Sequence, residues 1–210
     1  MGRPIIETYA PSTPSLTGFA SNVTGGTWTL TNNSVPDGLA HQVSLKNDTA
    51  TDHSGKTATF VGTDQDGIDQ TETIAMPGSS ATVETTLYFK TLTSVTPSAT
   101  IGADTMDIGY VDEFSSRTIP ANWRGSEAMI AVIVGGTINY SVQYTPDNIQ
   151  YGASRPYNWL EDTSTDIVNS TSSGSTTFNS IPLGWRFIAN SYSAGARAQL
   201  TISQMNEQST

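Results

Sequence analysis

The chain has no cysteine among its 210 residues, so neither a disulfide nor a thiolate metal site can hold it together. Charge is scarce too. Asp, Glu, Lys and Arg make up 13% of the residues, and 19 acids against 9 bases give a formal net charge of -10. The basic field that would attract phosphate is missing, so no nucleic-acid partner is expected. No apolar run approaches the roughly 20 residues of a membrane-spanning helix. Met1 to Ala10 lacks the basic start and apolar centre of a signal peptide. The expectation is synthesis and folding in the cytoplasm, with no membrane partner. Catalytic signatures are also lacking: there is no G-x-S-x-G elbow and no G-x-x-x-x-G-K-[ST] phosphate loop.

What fills the chain instead is Thr, Ser, Asn and Gly beside a hydrophobic fraction of 36%. That is the composition of a β-protein with hydroxyl-bearing outer faces and many turns. Four tryptophans, eight tyrosines and six phenylalanines are available for cores, and apolar residues alternate, so disorder is not expected. In Lys56 to Tyr110, Ala58 and Phe60 alternate with Thr57 and Thr59, as in a strand buried on one face. Asp64-Gln65-Asp66-Gly67 has the chemistry of a hairpin turn, because Asp side chains cap their own backbone and Gly67 tolerates positive φ. Pro77-Gly78 breaks the chain again, Leu87 and Phe89 share a parity, and so do Met106, Ile108 and Tyr110. The segment reads as a β-meander.

Residues 1–26, with prolines at 4, 11 and 14, read as an extended N-terminal arm, since proline lacks the donor a ladder needs. Its Ile5, Ile6 and Tyr9 are candidate partner contacts. Residues 27–114 read as a sandwich of short strands, loosely immunoglobulin-like in layout. Thr27–Thr31 and Gln42–Lys46 alternate so as to turn Trp28, Leu30, Val43 and Leu45 to one core. Residues 115–126, with Pro120 and little periodicity, read as a linker, and 127–210 as a second, smaller β-sandwich. There Ala128–Val134 is apolar on both parities and predicts a central strand covered on both sides. Gly135-Gly136 predicts a two-residue hairpin into Thr137–Tyr144, and further strands are expected at Trp185–Ala189 and Arg197–Ser203. The Ser/Thr/Gly-rich stretch Asp162–Ser175 predicts an exposed tip.

Candidate chemistry is thin. Asp64, Asp66 and Asp69 with Gly67 resemble half of a calcium loop, but position twelve is Ala75 where an EF-hand has glutamate, so a hairpin turn is the better reading. His41 and His53 lie in polar surroundings between strands and read as solvated. Glu161-Asp162 sit beside Trp159 and Tyr157, an acid-and-aromatic pattern found at sugar sites. Adjacent strand residues point to opposite faces, however, so the two acids cannot flank one glycosidic bond.

The run VGTDQDG, Glu72-Thr73, Pro77-Gly78, YFKTLTSVT (Tyr88–Thr96) and IGADTMDIG resemble a segment that recurs in structural proteins of tailed bacteriophages. AVIVGGTINYSVQYTPDNI, Trp159, IPLGWRFIAN (Ile181–Asn190) and AQLTISQ resemble a compact β-domain of phage virion proteins, which often begin with a GRP-type N-terminus like Gly2-Arg3-Pro4. The resemblance implies an all-β virion protein of two β-sandwich domains, made in the host cytoplasm, with no catalytic residues, cofactor or metal. It would act through contacts with copies of itself and with the major capsid protein or neck and tail proteins. Three roles stay open at this point. They are head decoration or cement, a neck or tail ring in the head-tail connection, and a carbohydrate-binding surface module using Trp159, Tyr157 and Tyr151.

Overall fold

The computed structural model describes residues 3–121, 125–149, 157–163 and 165–206. Among these the regular structure is all β, fifteen strands with no α-helix, arranged in antiparallel sheets. The chain divides into two compact units, Ser12–Ser115 and the combination of Met1–Pro11 with Ser116–Thr210.

The first strand, β1 (Ile5–Tyr9), therefore belongs with the C-terminal unit. The N-terminal unit contains β2 (Ser15–Val23), β3 (Ala40–Asn47), β4 (Thr57–Thr63), β5 (Asp69–Ala75), β6 (Thr82–Phe89), β7 (Thr91–Pro97) and β8 (Met106–Ser115). β2, β8, β3 and β6 are neighbours in that order. A second sheet runs β5-β4-β7. Between them lies one apolar cluster that includes Phe19, Val43, Leu45, Phe60, Phe89, Leu92, Met106 and Ile108. Each fully buried phenylalanine of this cluster contributes about 1.5–3 kcal/mol over its exposed state. The alternation in β4 explains its place: Ala58 and Phe60 face the cluster while Thr59 pairs with Thr73 across the outer face at 2.9 Å.

The turn between β4 and β5 is the hairpin that its sequence predicts. Asp64 Oδ1 accepts from Asp66 N and Ile68 N, both at 2.9 Å, and Gly67 takes a φ of 80°. The rest of the segment is not a meander, because β6 leaves this sheet to pair with β3, and β7 returns to β4. A bulge in β6 also separates Leu87, which is exposed, from Phe89, which is buried. Its hydrogen bond from Thr85 Oγ1 to Leu87 O breaks the simple alternation. Trp28 is buried and Leu30 packs on the same cluster as expected, yet Thr27–Thr31 form no strand.

The C-terminal unit contains β1, β9 (Ile119–Pro120), β10 (Gly125–Gly135), β11 (Ile138–Thr145), β12 (Leu160–Glu161), β13 (Gly174–Phe178), β14 (Gly184–Tyr192) and β15 (Arg197–Asn206). One sheet runs β1-β15-β10-β13. The other runs β12-β11-β14 with β9 on β14. Tyr9 of the first sheet stacks on Phe187 of the second at 4.8 Å, and Phe187 stacks on Tyr140 at 5.3 Å, so aromatic rings join the layers.

Residues 1–26 are thus not an arm. Ile5–Tyr9 pair with Ala198–Ile202, and Ser15–Val23 pair irregularly with β8; the prolines fall outside both runs and interrupt no ladder. The expected linker 115–126 carries β9, and Ser116 donates its N–H to Phe187 O while its hydroxyl oxygen accepts from Phe187 N, each at 2.8 Å. Gly135-Gly136 does not close a hairpin. β10 and β11 pair with different strands, so this short link carries the chain from one sheet to the other. β10 is central in its sheet, but only one of its faces is covered: Met129 is 47% and Ile133 60% exposed. The expected tip 162–175 is largely exposed among its described residues, but it is tied down at two points: Val142 N bonds to Ile167 O, with Ile167 buried, and Tyr140 and Ser170 exchange backbone bonds.

Candidate functional site

The ladder places Glu161, Gln143 and Arg186 in one row across β12, β11 and β14. All three point away from Val142 and Phe187, which line the interior. Gln143 uses both ends of its amide: Nε2 donates to Glu161 Oε1 at 3.1 Å, and Oε1 accepts from Arg186 Nε at 2.8 Å. The Arg186 guanidinium then lies 4.4 Å above the centre of the Trp159 ring, a cation–π contact, and Tyr157 meets Trp159 edge-on at 6.2 Å. Sugar rings stack on an open aromatic face, and one face of Trp159 is already covered by Arg186. The row therefore satisfies its own polar groups. Further along the same face, Asn190 Nδ2 contacts Asn139 Oδ1, Ser141 Oγ and Asn169 Oδ1 at 3.0–3.2 Å, another closed polar set.

Both histidines are buried, contrary to the solvated reading, with His41 at 0% and His53 at 3% exposure. His41 Nε2 meets Asp37 Oδ2 at 2.9 Å and Nδ1 faces Val111 O at 3.3 Å, with Tyr110 and Phe114 packed on the ring. Asp37 also accepts from Ser12 N at 2.6 Å and Leu39 N at 2.9 Å. Burial pushes the Asp37 carboxyl up, but the His41 contact and the two backbone donors outweigh it and hold it below its ordinary value. His53 Nε2 meets Asp104 Oδ2 at 3.0 Å, while Lys56 Nζ reaches Nδ1 at 3.1 Å and Thr100 O at 2.8 Å. In each case both ring nitrogens are engaged, and Ser12 approaches Asp37 through its backbone N–H. These are cross-links between segments distant in sequence, with the geometry of structural ties.

Of the expected partner contacts, Ile6 is open at 56% exposure. Ile5 and Trp159 are half-buried. Tyr9 points the other way, stacked on Phe187 at 4% exposure, and burial pushes its phenol far up; it has little surface to offer. Tyr151 lies outside the described residues. Sequence reasoning missed the Gln143 row, which depends on register between strands that no local pattern encodes, and the His–Asp ties, which depend on how the loops fold back. The usable signal was parity alone: Gln143 and Arg186 are the polar members of otherwise apolar alternating runs.

No protein-family model and no curated protein matches the chain. Among solved structures it has a weak likeness to the major capsid protein P2 from Bacteriophage PM2. The match covers 98% of this chain and 99% of that one at 9% identity, with a TM-score of 0.22. At that score the two folds are not shown to be the same.

Proposed function

We propose that the chain is a structural protein of a tailed-phage virion, seated on the capsid as a decoration or cement protein and working by protein–protein contact rather than catalysis. One observation carries this reading: the segments that resemble phage virion proteins supply parts of β4 to β8 in one unit and of β10, β11, β14 and β15 in the other. The polar groups singled out as candidate chemistry serve as internal ties. A chain of this kind offers rigid surface without disulfides. Bound only to the mature shell, it stabilises that shell by mass action. Its partners would be the major capsid protein and further copies of itself, and its location the virion.

Quantifying the protein in purified particles tests the assignment. On the order of hundreds of copies are expected for a shell protein, whereas a dozen or fewer would move it to a closed ring at the neck or tail. Absence from particles would overturn the virion role altogether. Glycan binding that disappears on Trp159→Ala in a folded protein would replace it with the carbohydrate-binding reading.

A further inference from the structure

The outer face of the sheet β1-β15-β10-β13 is open and nearly uncharged. On β10 the outward positions are Glu127, Met129, Ala131 and Ile133. The ladder sets Ala131 beside Thr201 and Ser175, and Thr201 beside Ile6. Among the described residues of these strands, charge on this face occurs only at the two ends. Glu127 stands at one end of β10, and Arg197, the ladder partner of Gly135, at the other. Neither forms an ion pair within the described residues of the chain.

We propose that two copies of the chain pair through this face, related by a two-fold axis that lies in the interface, perpendicular to the strands, at the level of Ala131 and Thr201. The register fixes what meets what. Glu127 and Gly135 are equally far from Ala131 on opposite sides, so reversing the strand direction sets Glu127 of one copy over the Gly135–Arg197 pair of the other, twice. Met129 and Ile133 are likewise equidistant from Ala131, so each meets the other across the interface. On the axis Ala131 faces its own equivalent, where a small side chain lets the sheets approach, and Ile6 faces Ile6. A two-fold axis along the strands would instead set Glu127 against Glu127. The charge pattern therefore selects one operator, as an isologous contact requires. The long Glu and Arg side chains reach across the roughly 30° offset usual for aligned sheets.

With about 3.3 Å per residue and about 4.8 Å between strands, the sheet offers roughly 500 Å² per copy. A total of roughly 1,000 Å² is at the lower limit for a specific interface, so a dimer that dissociates in the range of about 10–100 µM is expected. The inference specifies the self-contact within the proposed function, but its test needs no particles, so failure here leaves the shell role standing.

Sedimentation velocity of the full chain from about 5 to about 500 µM should show a monomer–dimer equilibrium. Ile133→Asp should weaken it about tenfold or more without lowering the melting temperature, since the side chain is 60% exposed in the single chain. Glu127→Arg and Arg197→Glu should each weaken it about fivefold, and the double exchange should restore it to within about twofold. A chain that stays monomeric throughout, a dimer indifferent to Ile133→Asp, or a double exchange no better than the single ones would overturn the proposal.

Discussion

Asp37 shows how a single buried carboxylate fastens the stretch before β2 to the turn that enters β3, since it takes hydrogen bonds from Ser12, Leu39 and His41 at once. Removing one partner of such a tie leaves the other buried without compensation. Asp37→Asn should therefore cost about 3 kcal/mol at pH 7, read from urea unfolding. The pH dependence follows from the direction of the shift. A carboxyl held below its ordinary value of 3.8 contributes stability that is fully present above that value and is lost as pH falls towards its folded value. The gap between the natural chain and Asp37→Asn should accordingly narrow below pH 3.8. Glu113 behaves in the opposite sense. Burial, with Glu84 and Asp112 nearby, raises its carboxyl above 4.5, so its charge destabilises the fold at neutral pH and ceases to do so once pH falls below that value. Because Glu113 is partly exposed, Glu113→Gln should gain only a few tenths of a kcal/mol at pH 7, and nothing near pH 3.

At the level of elements, β2 lies close over β8 in the N-terminal unit. A Cβ placed on Gly109 would run into the backbone of Ser15 and Leu16, and the Tyr110 ring covers Gly18 in the same way. Backbone cannot swing aside as a flexible side chain can, so Gly109→Ala should cost at least about 2 kcal/mol. It should also raise hydrogen exchange along β2 more than along β4. Nothing in the sequence marks this contact, because β2 departs from regular pairing at two places and the prolines just before it, at 11 and 14, obscure the strand. Elements whose own pattern decides their state were legible: the Asp64–Gly67 turn, the alternation of β4 and β11, and the buried Val43 and Leu45 of β3. What local pattern cannot decide is where a strand goes next. Gly135-Gly136 has the composition of a hairpin, yet β10 already has β13 and β15 on its two edges, and no edge remains for β11. The two-sided apolar character of β10 predicts burial within the chain, while Met129 and Ile133 lie open. The same signal serves equally for a face that another molecule covers. The row of Gln143, Glu161 and Arg186 was hidden for the same reason, since it exists only once three strands are in register.

For the molecule as a whole, the order of the chain does not follow the order of its units, because the first strand completes the sheet formed by the last. β1 pairs along its whole length with β15 and delivers Tyr9 to the aromatic stack, while Glu7 binds Arg117. An appendage could be removed at little cost; an edge strand with a core tyrosine could not. Deleting residues 1–11 takes Tyr9 out of the core, a loss of about 3–5 kcal/mol by analogy with other large-to-small aromatic truncations. It also exposes the edge of β15. The truncated chain should show a lowered melting temperature and fast amide exchange over residues 198–202, with β4 and β7 less affected. A synthetic peptide of residues 3–11 added in trans should restore protection at those amides, since it supplies the same ladder and the same ring. The peptide carrying Tyr9→Ala should fail to do so at equal concentration. Unchanged stability after the deletion would mean that the N-terminal segment contributes nothing to the sheet. Rescue by both peptides alike would assign its contribution to the backbone ladder alone, with the Tyr9–Phe187 stack adding nothing.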